Sequence, residues 1–158
     1  MNKSQKRWLA AGAIVTGAAA AGAASHVLTK YMMDMALDRH KPKGILNGDK
    51  TRRKIKGTPY QQAFLEEVDF CAQKLKNAGT EEVEITGRDG IRLVGHLRRC
   101  KNPQRIILAM HGWRSSWDQD FGMIADFWYK NNCTVLYAEQ RGQCSSGGEY
   151  MGFGMLER

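Results

Sequence analysis

Residues 105–157 read RIILAMHGWRSSWDQDFGMIADFWYKNNCTVLYAEQRGQCSSGGEYMGFGMLE and carry most of the information about the fold. Residues 106–110 and 134–138 are continuous apolar runs, which are typical of strands buried on both faces of a parallel sheet. Residues 118–131 lie between them and have apolar side chains at helical spacing. The inner stripe of this helix is predicted to be Phe121, Ile124, Ala125 and Trp128. The stretch therefore predicts a strand–helix–strand unit with a right-handed crossover.

The segment before this unit predicts a helix followed by an antiparallel hairpin. Residues 60–76 place apolar side chains at helical spacing, and Asn77-Ala78-Gly79 follows them as an end signal. Residues 83–86 and 91–97 alternate between apolar and polar side chains, as strands with one buried face do. Arg88-Asp89-Gly90 lies between these two strands and is typical of a tight turn.

A polar loop follows each of the two apolar strands. His111-Gly112-Trp113 comes directly after the first, and Arg141-Gly142 lies in a Gly/Ser-rich loop after the second. With these features, residues 80–158 resemble the N-terminal portion of an α/β-hydrolase of the serine aminopeptidase or lysophospholipase-like kind, such as the bacterial membrane-anchored members. The resemblance implies an α/β fold whose sheet opens with an antiparallel hairpin and continues with parallel strands.

The resemblance also implies a reaction. Such hydrolases cleave ester or amide bonds with a Ser–Asp/Glu–His triad, in which the serine lies on a GxSxG turn further along the chain and the other two residues follow it. We therefore expect this chain to be a fragment that ends before the triad and is inactive alone. The complete protein would take a small acyl substrate, and it would need no metal and no organic cofactor.

Three residues of the loop after the first apolar strand receive roles from the resemblance. The backbone N–H of Trp113 would be one of the two donors to the oxyanion, and Gly112 would permit the tight backbone path that presents it. His111 would have a structural role in shaping this loop. In the loop after the second strand, Arg141 would order the backbone near the rim of the substrate site.

That second loop departs from the family pattern, which is roughly D-x-R-G-x-G-x-S-x-G. Glu139 replaces the Asp and Cys144 replaces the second Gly. A cysteine in a left-handed conformation costs on the order of 1 kcal/mol. Neither Ser146 nor Cys144 is expected to be a nucleophile. No His or Asp follows Ser146 in the sequence, so the order Ser, acid, His cannot be completed.

Residues 8–28 contain no Asp, Glu, Lys or Arg over 21 positions, and Lys3, Lys6 and Arg7 precede them. A helix of this length spans about 30 Å, the thickness of a bilayer core. The segment therefore predicts a single-pass membrane anchor. A cleaved signal peptide, with Ala21-Gly22-Ala23 at its cleavage site, and a surface-lying helix are the alternatives. The Lys and Arg residues on the two flanks nearly balance, so the orientation in the membrane stays open.

The positive charge is concentrated at the N-terminus. Residues 1–60 hold 12 Lys/Arg against 3 Asp, a net charge of +9, whereas residues 61–158 have a net charge of −1. We predict an anchor or signal segment over residues 1–30, a basic tether over 31–58 and a partial hydrolase domain over 59–158. The anchor would bind membrane lipid, and the tether would either bind lipid head groups through its Lys and Arg residues or form a solvated linker. Nucleic acid is not an expected partner, because no nucleic-acid-binding motif accompanies the basic arm.

The four cysteines form no CxxC pair, so a structural zinc site is not expected. A disulfide framework is not expected in a chain with an ordinary α/β core. A second hypothesis comes from a different class of function. In it, the chain is a non-catalytic, membrane-tethered interaction module or a decayed hydrolase. The sheet edge, expected at residues 134–138, discriminates the two. A stable monomer of residues 60–158 would favour the module, and aggregation would favour the hydrolase fragment.

Overall fold

A computed structural model describes residues 2–40, 58–152 and 154–155 of the chain, except for the side chains of residues 3 and 6–18. It divides into two compact units, Met1–Leu37 and Asp38–Arg158. Most of the predicted basic tether lies in residues 41–57, outside the described residues.

The first unit is one helix, α1 (Lys3–Leu37), which contains residues 8–28. Among the described residues, no helix combines the length and the mean hydropathy that a membrane span requires. The predicted membrane-spanning helix is therefore not supported.

In its described residues, the second unit contains a mixed four-stranded sheet and two helices. Its strands are β1 (Glu81–Thr86), β2 (Arg92–Arg98), β3 (Arg105–Met110) and β4 (Cys133–Ala138). They lie in the order β1-β2-β4-β3. β2 is antiparallel to both β1 and β4, whereas β3 and β4 are parallel. The α/β class and the antiparallel opening hairpin agree with the sequence prediction.

Local sequence signals explain where these elements begin and end. In the hairpin turn, the Gly87 amide donates to Ile91 O at 2.8 Å, and Gly90 adopts a φ of 80°. Helix α2 (Pro59–Lys76) begins with Thr58, whose Oγ1 accepts the Gln61 amide at 3.3 Å, and it ends at Asn77. Helix α3 (Trp117–Lys130) begins after Ser116 and ends at Asn131.

The core lies between one face of the sheet and the two helices. Its buried residues are Leu75, Ala109, Trp117, Ala125, Cys133, Val135 and Tyr137, and Phe121 and Trp128 pack against them. Three of the four predicted stripe residues of α3 are in this group, but Ile124 is 40% exposed. The helices approach closely at Gly122, where a Cβ atom would lie 2.7 Å from Ala72 N. Because Gly122 faces α2, Ile124, two positions further along the helix, lies on the opposite side of α3.

The other face of the sheet is apolar and open in the described chain. On β3, Ile106 is 80% exposed, Leu108 63% and Met110 51%. The prediction that both apolar strands are buried on both faces is therefore wrong for β3, although β4 is largely buried. The prediction that residues 134–138 form an edge strand is also wrong. β4 pairs with β2 on one side and with β3 on the other, so the edge strands among the described residues are β1 and β3.

We expect the 158-residue chain to self-associate through this open face at micromolar concentration, because an unpaired edge strand and an apolar face invite pairing. Leu108→Lys should shift the chain toward monomer in sedimentation velocity. Met123→Lys, at a position 53% exposed on α3, is the matched control and should leave self-association unchanged. Wild-type chain that sediments as a monomer across the same concentrations would contradict this prediction.

Candidate functional site

Two loops meet at the carboxyl edge of the parallel strands. The first loop (residues 111–116) follows β3, and the second loop (residues 139–148) follows β4. The amide nitrogen of the Gln140 side chain donates to His111 O. The Arg114 amide donates to the Gln143 side-chain oxygen at 2.7 Å. The structure therefore brings together the two loops that carry the sequence-predicted site residues, at the edge where open α/β sheets bind their ligands.

His111 is 1% exposed and links the two loops through its ring. Its Nε2 accepts the Gln140 amide at 3.4 Å, and its Nδ1 lies 2.9 Å from Gly112 O. In the neutral ring the proton therefore sits on Nδ1, which donates to Gly112 O. These contacts are to backbone groups, and they fit the structural role that the resemblance implies for this residue.

The backbone of the first loop is held by Asp120, in the first turn of α3. Its Oδ2 accepts the Gly112 amide at 2.6 Å, and its Oδ1 accepts the Ser115 hydroxyl at 2.5 Å. The Trp113 side chain is 48% exposed. Asp120 was not predicted from the sequence. An acidic residue in the first turn of the helix that follows a His-Gly loop is the signal that identifies it.

The second loop is held by Glu139, which is 5% exposed. Its Oε2 accepts the Ser145 amide at 2.6 Å and the Ser146 amide at 3.2 Å. Its Oε1 lies 2.8 Å from His96 Nε2. The His96 ring in turn stacks on Trp117, with 4.2 Å between ring centroids. From the sequence, Glu139 was identified only as the residue that replaces the Asp of the family pattern. Its contact with His96 was not predicted.

Ser146 is fully buried, and its hydroxyl is used by the backbone. The Oγ donates to Glu139 O at 2.8 Å and accepts the Val94 amide at 2.9 Å. In the described residues, no serine hydroxyl is hydrogen-bonded to a histidine ring. This geometry agrees with the expectation that Ser146 is not a nucleophile.

Cys144 adopts the left-handed conformation that the family's glycine pattern predicted, with a φ of 48°. Its Sγ donates to Ser115 O at 3.5 Å and lies 4.0 Å from His111 Nε2. Desolvation of the thiol, reinforced by the Glu139 carboxylate, raises the pKa of Cys144 to about 11. The thiol is therefore protonated at neutral pH, which makes it a poor nucleophile.

Arg141 is 8% exposed and ties the second loop to the hairpin turn. Its Nη1 donates to Asp89 Oδ2 at 2.5 Å. The Arg141 guanidinium lowers the pKa of the Asp89 carboxyl below its usual value. Gly148, with a φ of 103°, lies so close that a Cβ atom would be 2.9 Å from Arg141 Cγ. These contacts fit the loop-ordering role that the resemblance implies.

Metal ligation has no support in the described part of the chain. No group of three or more His, Cys, Asp or Glu residues there could hold a metal ion.

No protein-family model and no curated protein matches this chain. Similar solved structures include the Pyrococcus furiosus esterase Pf2001, at 28% identity over 53% of this chain and 32% of that one, with a TM-score of 0.44. A Novosphingobium aromaticivorans alpha/beta hydrolase covers 44% of this chain and 24% of its own at 24% identity, with a TM-score of 0.37. An Agrobacterium vitis putative hydrolase covers 45% and 29% at 20% identity, with a TM-score of 0.37. The chain spans about a third of the length of the esterase.

We expect Ser146→Ala to lower the free energy of unfolding by about 1–3 kcal/mol, because it leaves the buried Val94 amide without its acceptor. Urea unfolding measures the difference. Ser145→Ala is the matched control, since Ser145 is exposed and contacts Glu139 through its backbone amide. Equal urea midpoints for the two variants would show that the Ser146 hydroxyl does not hold the loop.

The contact between Asp89 and Arg141 predicts a pH dependence. Because the folded-state pKa of Asp89 is lowered, the pair stabilises the fold above the unfolded pKa of about 4 and loses this effect as pH falls through the lower folded value. Asp89→Asn should therefore lower the urea midpoint at pH 6, and the gap to wild type should close below about pH 4. Glu66→Gln, an exposed carboxylate on α2, is the control. A gap that persists unchanged to pH 2 would contradict this assignment.

Proposed function

We propose that this chain forms the oxyanion side of an α/β-hydrolase catalytic domain, which cleaves ester or amide bonds with a Ser–Asp/Glu–His triad. The observation that supports this best is the fixed position of the first loop at the carboxyl edge of β3. Asp120 holds the Gly112 amide, and Gln140 holds the His111 carbonyl. The Trp113 amide is the next one along this fixed stretch.

The chemistry needs such an amide. When a nucleophile attacks an ester or amide carbonyl, the carbonyl oxygen becomes an oxyanion, and fixed N–H donors stabilise it without having to reorganise. The Trp113 N–H would be one donor, with Gly112 providing the tight path before it. The second donor would come from the residue after the nucleophilic serine. Arg141 would keep the second loop in place at the rim of the same site.

We assign the nucleophile, acid and base to segments outside this sequence. Of the serines at the site, Ser146 is buried, and Ser115 donates its hydroxyl to Asp120. The open edge of β3 offers a place for a further parallel strand, and the open apolar face offers a place for helices that would cover it. The proposed subfamily is the serine aminopeptidase or lysophospholipase-like one.

Attachment to a membrane is a separate part of the proposal. The net charge of +9 in residues 1–60 suits the anionic surface of a bilayer, where each Lys or Arg contributes about 1 kcal/mol of attraction. Lipid binding by residues 8–28 and the basic tether would place the domain next to acyl substrates of lipid type.

The second candidate function is a non-catalytic interaction module. The open apolar face favours this module as much as it favours the hydrolase domain. The two candidates differ in what covers that face. A hydrolase domain covers it with its own chain, whereas a module covers it with a partner. The state of residues 60–158 in solution discriminates them, since a stable monomer favours the module and aggregation favours the hydrolase.

To test the hydrolase proposal, the gene is read past the codon for Arg158, and the product of the whole reading frame is assayed with p-nitrophenyl esters. We expect a GxSxG serine there that reacts with a fluorophosphonate. Trp113→Pro, which removes the N–H donor, should lower kcat by about 10²–10³-fold. Trp113→Phe keeps the N–H and is the matched control.

Two outcomes would contradict the proposal. One is a whole product that neither hydrolyses these esters nor reacts with the fluorophosphonate. The other is equal kcat for Trp113→Pro and Trp113→Phe, provided that both variants have the far-UV circular dichroism of the wild type.

A further inference from the structure

A donor-rich cavity of about 370 Å³ lies beside the first loop. Its lining includes Arg39, Arg114, Ser116, Gln119 and Gln143. Two of these side chains are cationic, the other three are neutral hydrogen-bonding groups, and neither Asp nor Glu is among the described lining residues. The proposed hydrolase reaction does not use any of these five side chains.

Arg39 reaches the cavity because residues 38–40 lie across the second loop. Asp38 forms a β-bridge with Tyr150, and the Arg39 amide donates to Glu149 O at 2.8 Å. The Arg39 guanidinium donates to Cys144 O at 2.8 Å and to Gly148 O at 3.3 Å. These acceptors are neutral carbonyls, so they fix the position of the guanidinium without compensating its charge. Among the described residues, Arg39 takes part in no ion pair.

Arg114 supplies a second positive charge to the cavity. It has a φ of 55°. Its guanidinium donates to Asp38 O at 2.8 Å and to His40 O at 3.4 Å, and lies 5.2 Å from the centre of the Trp113 ring. A change at this guanidinium is therefore expected to alter the fluorescence of Trp113.

Gln143 adds a neutral donor with a fixed orientation. The residue is 7% exposed, and its side-chain oxygen accepts the Arg114 amide at 2.7 Å. Because the oxygen is committed to this N–H, the NH₂ group of the same amide is the part left to serve as a donor. Ser116, the N-cap of α3, also lines the cavity, and its side chain makes no capping hydrogen bond.

Each nearby carboxylate accepts a hydrogen bond or an ion pair from a group other than the two cavity arginines. Asp38 Oδ1 accepts the His40 amide at 2.7 Å, and this hydrogen bond, with a smaller contribution from the charge of Arg114, lowers the pKa of the Asp38 carboxyl below its usual value. Asp120 accepts the Gly112 amide and the Ser115 hydroxyl. Asp118 is paired with Lys76 at 3.0 Å. The cavity thus combines two fixed positive charges with neutral donors, which is the chemistry that binds carboxylate or phosphate oxygens.

We infer that this cavity binds an anionic group, a carboxylate or a phosphate monoester, through Arg39, Arg114 and Gln143. Assigning that group to the acyl substrate rests on the proposed function. Anion binding by the cavity does not depend on the proposed function. Arg39 comes from the segment directly after α1, so the N-terminal region contributes a residue to the site.

The test uses the 158-residue chain with inorganic phosphate and, separately, acetate, at ionic strength held constant with potassium chloride. Binding is followed by Trp fluorescence and by the shift in Tm. We expect at least one of the two anions to bind. Arg39→Gln should raise its Kd by at least about tenfold, and Gln143→Glu should abolish binding because it adds a like charge. Arg39→Lys keeps the charge and should retain part of the affinity.

Arg99→Gln is the matched control, since Arg99 is exposed and pairs with Glu81 at the start of β1. It should bind the anions as the wild type does. Binding of phosphate alone assigns the site to a phosphate ester, and binding of acetate alone assigns it to a carboxylate. Absence of binding to either anion, or equal Kd values for wild type, Arg39→Gln and Gln143→Glu, would overturn the inference.

The readout separates this inference from the proposed function, because it needs no turnover. Anion binding by a protein whose whole reading frame lacks esterase activity would leave the site standing and remove the hydrolase proposal. Esterase activity without anion binding would remove the anion site and leave the hydrolase proposal standing.

Discussion

The buried carboxylate of Glu139 is the contact on which the rest of the site depends. A carboxylate removed from water costs several kcal/mol unless its oxygens find donors, and here both oxygens have them. The two amides of Ser145 and Ser146 and the ring of His96 lie within hydrogen-bonding distance. The second loop is therefore fixed from inside. Its Gln140 and Gln143 then hold the first loop, and its carbonyls at residues 144 and 148 hold Arg39.

Features that depend on neighbours in the sequence were predictable. The spacing of apolar residues predicted α2 and α3, and the signal at Asn77 predicted the end of α2. Arg88-Asp89-Gly90 predicted the hairpin turn, which the positive φ of Gly90 bears out. The backbone conformation of Cys144 was predictable in the same way. A glycine at this position of the family pattern indicates a left-handed backbone, and Cys144, which replaces it, adopts that conformation.

Features that depend on distant contacts were not predictable. An apolar run does not reveal how many of its faces are covered, so β3 and β4 appeared equivalent in the sequence although one is an exposed edge and the other is central. His96 and Glu139 are 43 residues apart, and Arg39 and Cys144 are 105 apart. No local pattern reports such pairs.

We propose that the first loop stabilises an oxyanion. The most direct test of this role is a crystal structure of the whole reading frame's product after reaction with a phosphonate ester that labels the nucleophile. We expect the phosphonyl oxygen about 2.7–3.1 Å from the Trp113 nitrogen, the distance of a working oxyanion donor. A phosphonyl oxygen that points away from residues 111–116, and is bound by amides elsewhere, would contradict the claim.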